Sequence, residues 1–314
     1  MRTIAVKSFK STPEILEVAT PKPQVAEVLV RLSAAGINPF DWKIADGMLD
    51  GQVGHTFPLV LGLDGAGVVE AAGDGVKRFA VGDQVFGQFW QLPLGRGTYA
   101  QYCTVSESAP IAKKPEQLSM ADAAALPTAG MAALDLLERS ALKMGSTILI
   151  VGATGGVGQF LTQLAHQRGL QVIATGTKAD VAMLKALGAD SVVDFTAGSV
   201  SKQVREQVPD GIDGLMDLVS DPAAFADLTG LVRNGGVALT TNFVADEKAL
   251  SGRGIRGGNF TLGASPGLVE RLGMTAATGN LKIPIERRVP FDEAIKAIAA
   301  SRTGQARGKT VILI

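Results

Sequence analysis

The run Thr147-Ile148-Leu149-Ile150-Val151-Gly152-Ala153-Thr154-Gly155-Gly156-Val157-Gly158 joins a short apolar stretch to a cluster of glycines. The apolar and β-branched residues predict a buried strand, and Phe160, Leu161, Leu164 and Ala165 then recur at helical spacing. A strand, a glycine turn and a helix form one phosphate-binding device. Glycines admit a pyrophosphate close to the backbone, and the helix start offers free N–H groups and a partial positive charge. The dinucleotide fingerprint G-x-G-x-x-G is met at Gly155 and Gly158, with Ala153 in its first place.

The end of the next strand bears on the choice of dinucleotide. An NAD site places a carboxylate there, about 20 residues after the glycines, to accept from the ribose 2′-OH. This chain has Thr175-Gly176-Thr177-Lys178, with no carboxylate until Asp180. Hydroxyls and a lysine suit a 2′-phosphate that a carboxylate would repel. NADPH is therefore expected, with Thr175, Thr177 and Lys178 around the phosphate.

These groups need a scaffold. Residues 171–175, 191–195, 213–219 and 236–240 read as further strands, with helices over 181–187 and about 223–232. Strands alternating with helices at this period predict a doubly wound parallel sheet. Residues 1 to about 120 differ: short runs such as Ile4-Ala5-Val6, Glu27 to Leu32, Gly67 to Glu70 and Gln84 to Phe86 are broken by glycine, proline and aspartate. That texture predicts an irregular antiparallel β domain. Near Ser119 it changes to alanine-rich helix, with Ser119 as N-cap.

Towards the C-terminus, Phe291, Ala294, Ile295, Ile298 and Ala299 form one helix face, and Thr310 to Ile314 reads as a strand. A terminal strand must pair, and the N-terminal β domain is its expected partner. The architecture is an α/β chain, with a β-rich domain from residues 1–121 and 260–314 and a nucleotide domain inserted at 122–259. Residues 245–258, rich in glycine and arginine, are expected to be a mobile loop at the cleft.

Composition narrows the classes. The chain has 314 residues, a mean hydropathy of +0.23 and zero formal net charge. Two domains fit that length, and no global basic field exists for nucleic acid. No apolar span of about 18 residues and no secretory start is present, so a cytoplasmic protein without membrane partners is expected. One cysteine, Cys103, excludes an internal disulfide framework.

Over essentially its full length the chain resembles the medium-chain dehydrogenases/reductases, in the zinc-independent quinone oxidoreductase and enone reductase branch. The resemblance rests on Gly36-Ile37-Asn38-Pro39-Phe40-Asp41-Trp42-Lys43, Leu61-Gly62-Leu63-Asp64-Gly65-Ala66-Gly67-Val68-Val69, Val81 to Val85, Ala125-Leu126-Pro127-Thr128-Ala129-Gly130, the glycine turn, and the tail Gly304-Gln305-Ala306-Arg307-Gly308-Lys309. It implies a GroES-like catalytic domain with an inserted Rossmann domain, and a homodimer. Zinc-dependent relatives carry cysteine where Asn38 stands and His-Glu where Leu63-Asp64 stands. Zinc needs thiolate, imidazole or carboxylate ligands, so no metal is expected; His55 and His166 read as surface or packing residues.

The implied reaction is hydride transfer from NADPH to a quinone or to the β-carbon of an α,β-unsaturated carbonyl. Asn38 and Lys43 are the implied donors to developing negative charge. Lys43, where relatives carry tyrosine, is open between polarising the carbonyl, protonating product and binding ribose. Asp41 is implied to orient Lys43 or hold its loop. Position carries over Thr154, Gly155, Gly156 and Val157 to the pyrophosphate, in a turn shaped by Gly152 and Gly158. Phe195 falls beside the adenine, Ser220 after the fourth strand, Asn242 and Phe243 near the ring, and Lys309 in the tail. Relatives carry threonine at Ala132, so the nicotinamide contact passes to Thr128 or to backbone. Phe89, Trp90 and residues 245–258 are expected to select the substrate. The alternatives are a catalytically silent nucleotide-binding member and, less favoured, a zinc alcohol dehydrogenase.

Overall fold

The computed structural model describes residues 1–304 and 306–314, so Gln305 of the tail motif lies outside the described residues. The chain divides into two compact units, Met1–Met131 with Ala264–Ile314, and Ala132–Gly263.

The first unit begins with β1 (Arg2–Val6) and β2 (Glu14–Glu17), paired antiparallel. Strand β3 (Glu27–Gly36) follows, and its Val28, Val30 and Leu32 alternate into a core with Val69, Val85, Cys103, Val105 and Ile111. That period-two alternation is what selects a strand with one face in the core. Helix α1 (Pro39–Ala45) starts at Asn38, with proline pre-set for the first turn. Next come β4 (Leu59–Val60), β5 (Asp64–Ala72), β6 (Gln84–Gln88), β7 (Tyr102–Ser106) and β8 (Ile111–Lys113). In α2 (Met120–Ala125), Ser119 caps the helix by accepting from the Asp122 N–H. Helix α3 (Pro127–Ser140) contains the division between the units.

The second unit runs β9 (Thr147–Val151), α4 (Gly156–Gln167), β10 (Gln171–Gly176), α5 (Val181–Ala186), β11 (Ser191–Asp194), α6 (Val200–Gln207), β12 (Ile212–Asp217), α7 (Pro222–Thr229), β13 (Val232–Thr240), α8 (Glu247–Gly252) and β14 (Arg256–Asn259). Its six strands are parallel, in the order β11-β10-β9-β12-β13-β14. The order reverses between β9 and β12, and such a switch point is where an open α/β sheet binds its ligand.

One expectation needs correction here. Residues 245–258 are not an irregular loop: they contain α8 and most of β14. Asp246 caps α8 by accepting from the Ala249 N–H. Strand β14, Arg-Gly-Gly-Asn, carries no apolar residue, and its extension comes from parallel pairing with β13. Gly257 has φ +107°, and a Cβ there would lie 2.2 Å from the Ala238 carbonyl oxygen. Glycine is the strand's means of close approach, which a hydrophobic pattern does not register.

The chain then returns to the first unit with α9 (Pro266–Ala277), β15 (Ile285–Pro290), α10 (Ala294–Ser301) and β16 (Lys309–Leu313). Strand β16 pairs antiparallel with β3, Val311 opposite Gly36, as expected for the terminal strand. This completes a seven-stranded sheet ordered β15-β16-β3-β5-β6-β8, with β7 also on β3. The Ile37 N–H donates to the Thr310 carbonyl at 2.9 Å, which brings the start of β16 beside Asn38.

Candidate active site

Where β3, β5, α3 and β16 meet, the first unit buries a continuous polar cluster. Asp64, at the first position of β5, is fully buried. Its carboxylate accepts from the Thr128 hydroxyl at 2.6 Å, the Thr128 N–H at 3.1 Å and the Asn38 Nδ2 at 2.8 Å. Gln88 Nε2 in turn donates to the Thr128 hydroxyl at 2.8 Å. Lys309, only 3% exposed, donates from Nζ to Asn38 Oδ1 at 2.5 Å and to the Ile37 carbonyl at 2.9 Å, and lies 3.7 Å from Asp64 Oδ2. On the other side of Asn38, its backbone N–H donates to Asp41 Oδ2 at 2.7 Å, and the Tyr99 hydroxyl donates to the same oxygen at 2.6 Å. Asp41 Oδ1 is buried with no partner among the described residues.

Burial sets the protonation of these groups. It pushes the Asp41 carboxyl up to about 7, against the hydrogen bonds from Tyr99 and Asn38. It also raises Asp64, with Lys309 opposing, and lowers the Lys309 ammonium, with Asp64 opposing. Such a cluster does not suit zinc. A cation already stands against Asn38 and Asp64, and among the described residues no three His, Cys, Asp or Glu side chains converge.

In the second unit, Gly155 is the N-cap of α4 and has no side-chain cap, so the first-turn N–H groups of Gly156, Val157 and Gly158 lie where an anion would take them. A Cβ on Gly155 would meet nothing closer than 3.5 Å, whereas one on Gly158 would lie 2.3 Å from the Gly152 carbonyl oxygen. Gly158 therefore lets helix and strand close up, whereas Gly155 is only in ordinary contact with the Gly152 carbonyl. These residues fit a pyrophosphate. At the carboxyl ends of the neighbouring strands, buried Asp217 accepts from the Ser220 N–H at 3.1 Å and the Thr240 hydroxyl at 2.8 Å. Asn242 Nδ2 donates to the Ser220 carbonyl at 3.2 Å. Phe195, Val219 and Phe243 are exposed, and Phe243 holds φ 58°, a left-handed conformation unusual for an aromatic residue.

Several expected site residues stand elsewhere than their assigned roles require. Thr175 is 3% exposed and its hydroxyl accepts from the Gly152 N–H at 3.0 Å, so it supports the glycine turn from beneath and does not face a phosphate. The Thr177 hydroxyl is committed to Asp180 Oδ2 at 2.6 Å. Lys178, unlike these, is exposed: its backbone N–H donates to Asp194 Oδ2 at 3.2 Å, and its side chain remains a candidate for the 2′-phosphate. Lys309 lies in the buried cluster of the first unit. Asp41 accepts from the Asn38 N–H, as one of its two implied roles requires, and makes no bond to Lys43, whose Nζ lies 5.8 Å from the Trp42 ring centroid. Phe89 is 1% exposed and packs in the core; half-buried Trp90 stacks on Phe40. Asp64, Tyr99, Gln88 and Asp217 went unrecognised as site residues. For Asp64 a signal existed: a lone carboxylate within Leu-Gly-Leu-Asp-Gly-Ala-Gly, and a lone lysine before Thr-Val-Ile-Leu-Ile, each demand a buried partner.

A parallel sheet with a glycine turn at its switch point, in a chain whose β unit buries a charged cluster, fits a nucleotide-binding enzyme of two units. Comparison with known proteins agrees. Residues 24–116 match the alcohol dehydrogenase GroES-like domain and residues 187–312 the zinc-binding dehydrogenase family. The 2-methylene-furan-3-one reductase of Solanum lycopersicum is 34% identical over 303 residues, covering 94% of this chain and 74% of that protein. The chloroplastic NADPH-dependent alkenal/one oxidoreductase of Arabidopsis thaliana is 30% identical over 307 residues, with the same coverage of 94% and 74%. The solved quinone oxidoreductase from Coxiella burnetii superposes with a TM-score of 0.90 at 28% identity, over 100% of this chain and 99% of that one. The chain belongs to the medium-chain dehydrogenase/reductase family, in its quinone oxidoreductase and enone reductase branch, and is a nicotinamide-dependent enzyme. No helix among the described residues is long and apolar enough to cross a membrane.

Proposed function

We propose that this enzyme transfers hydride from NADPH to a quinone or to the double bond of an α,β-unsaturated carbonyl, without a metal. The observation that carries the reading is the glycine turn from Gly152 to Gly158 at the sheet's switch point. The relatives named as enone and alkenal reductases support the acceptor class. The Lys309 ammonium, standing against both Asn38 and Asp64, supports the absence of a metal.

Reduced nicotinamide, when bound, supplies the hydride. The turn residues Thr154, Gly155, Gly156 and Val157 hold the pyrophosphate, Lys178 the 2′-phosphate, and Phe195, Ser220, Asn242 and Phe243 the surrounding wall. Negative charge develops on the acceptor oxygen, and the chain's donors for it are the Asn38 amide and the Lys43 ammonium. Thr128 and Asp64 keep Asn38 in place. We place the protein in the cytoplasm as a homodimer, which fractionation and light scattering check.

The direct test is loss of reduced-nicotinamide absorbance when a small quinone or short alkenal is added to enzyme and NADPH. Tight NADPH binding without turnover on either acceptor class refutes the reading in favour of a silent binder; abolition of turnover by chelators refutes the metal-free part. Lys178→Ala raises the KM for NADPH about tenfold or more, the scale of a lost bond to a charged group, and leaves that for NADH nearly unchanged. Equal effects on both cofactors remove Lys178 from the phosphate. Lys43→Ala lowers kcat about tenfold with NADPH affinity intact; an unchanged kcat makes Lys43 a surface residue.

A further inference from the structure

The Asn38 side chain lies between opposite charges. Its Oδ1 accepts from the Lys309 ammonium at 2.5 Å, and its Nδ2 donates to the Asp64 carboxylate at 2.8 Å. Turning the amide over would set the NH2 group against an ammonium and the oxygen against a carboxylate, so only one orientation is compatible with both neighbours. The two charges come from distant parts of the chain, the start of β5 and the start of β16, and each is fixed independently of Asn38. Asp64 is held by the Thr128 N–H and hydroxyl, and Lys309 by the Ile37 carbonyl. Asn38 Nδ2 carries two hydrogens, and the bond to Asp64 uses one of them.

We propose that Lys309 and Asp64 form a charge clamp that holds Asn38 in a single amide orientation and polarises it, so that the remaining Nδ2 hydrogen is the donor to the acceptor oxygen. Lys309 is then a positioning residue that acts through Asn38, and it does not touch the cofactor. A cation on Oδ1 draws density from the amide and makes its N–H a stronger donor. The clamp rests on the functional reading above for its consequence, but its geometry does not depend on that reading.

The test is Lys309→Met, with Lys309→Arg as its partner, in the full-length enzyme. Lys309→Met is expected to keep the NADPH Kd within about twofold while kcat falls about ten- to a hundredfold. Lys309→Arg recovers part of the loss, and combining Lys309→Met with Asn38→Ala costs no more than Asn38→Ala alone. A Kd raised about tenfold with kcat preserved at saturating NADPH returns Lys309 to the cofactor and overturns the clamp, as do additive losses in the double variant. Should Lys309→Met fail to fold, the wild type carries the test through isotope-labelled asparagine. One Asn38 NH2 proton, bonded to the Asp64 carboxylate, should lie well downfield of ordinary asparagine amides and exchange slowly with water; two protons at ordinary amide shifts with fast exchange overturn the clamp. The same spectrum serves if no quinone or enone is turned over, a result that would sink the functional reading alone.

Discussion

Asp64→Ala lowers the unfolding free energy by about 3–5 kcal/mol, the usual cost of removing one partner of a buried ion pair. Lys309 would be left with its ammonium in a site from which water is excluded, and the Thr128 hydroxyl, the Thr128 N–H and the Asn38 Nδ2 would lose their shared acceptor. The contrast is Glu14→Ala, which breaks a pair to Lys7 at 2.8 Å between side chains 50% and 62% exposed. Solvent screening and side-chain entropy keep such a pair to about 1 kcal/mol or less. Urea denaturation of both variants at pH 7 makes the comparison. If Asp64→Ala costs no more than Glu14→Ala, the cluster is hydrated in solution and its charges do not depend on each other.

The second large effect is on pH. The folded state holds the Asp41 carboxyl at about 7, against an ordinary value of 3.8, chiefly because burial disfavours the carboxylate. Between these values the folded chain keeps a proton that the unfolded chain has released, so unfolding loses it. The contribution to stability is therefore complete below about pH 4 and fades as pH rises through about 7. The gap corresponds to about 4 kcal/mol at about 1.4 kcal/mol per decade. Asp41→Asn retains an oxygen to accept from the Asn38 N–H and the Tyr99 hydroxyl, and sets an NH2 group in place of the unpartnered Oδ1. Its stability should fall less steeply than the wild type's from pH 4 to pH 7, with the difference between the two curves tracing a single titration. Parallel curves over that range would mean that Asp41 is ionised throughout in the fold, with a donor on Oδ1.

The parallel sheet could be read from the chain because each of its first five strands is a local event, a short apolar run followed by a turn and a helix. Burial on both faces leaves that mark on the central strands β9, β10 and β12. The glycine turn was legible for the same reason, since the residues that shape it are adjacent in sequence. Strand β14 was not: Arg256-Gly257-Gly258-Asn259 has no apolar signature and is extended only because β13 offers it a partner. Thr175 read as a phosphate ligand from its place at a strand end, yet burial turned its hydroxyl under Gly152.

The cluster around Asn38 shows the same division. Its motifs, taken separately, pointed to a family and to a donor loop, because residue identity within a short segment carries that much. That Lys309 closes on Asn38, 271 positions earlier in the chain, depends on the register between β16 and β3. Register is a property of two strands together: shifting one residue along a ladder sends every side chain to the opposite face. Local sequence therefore established the elements and the chemistry available on each. Pairing between remote strands chose which charged groups would be buried against one another, and hence which of them are free to meet a ligand.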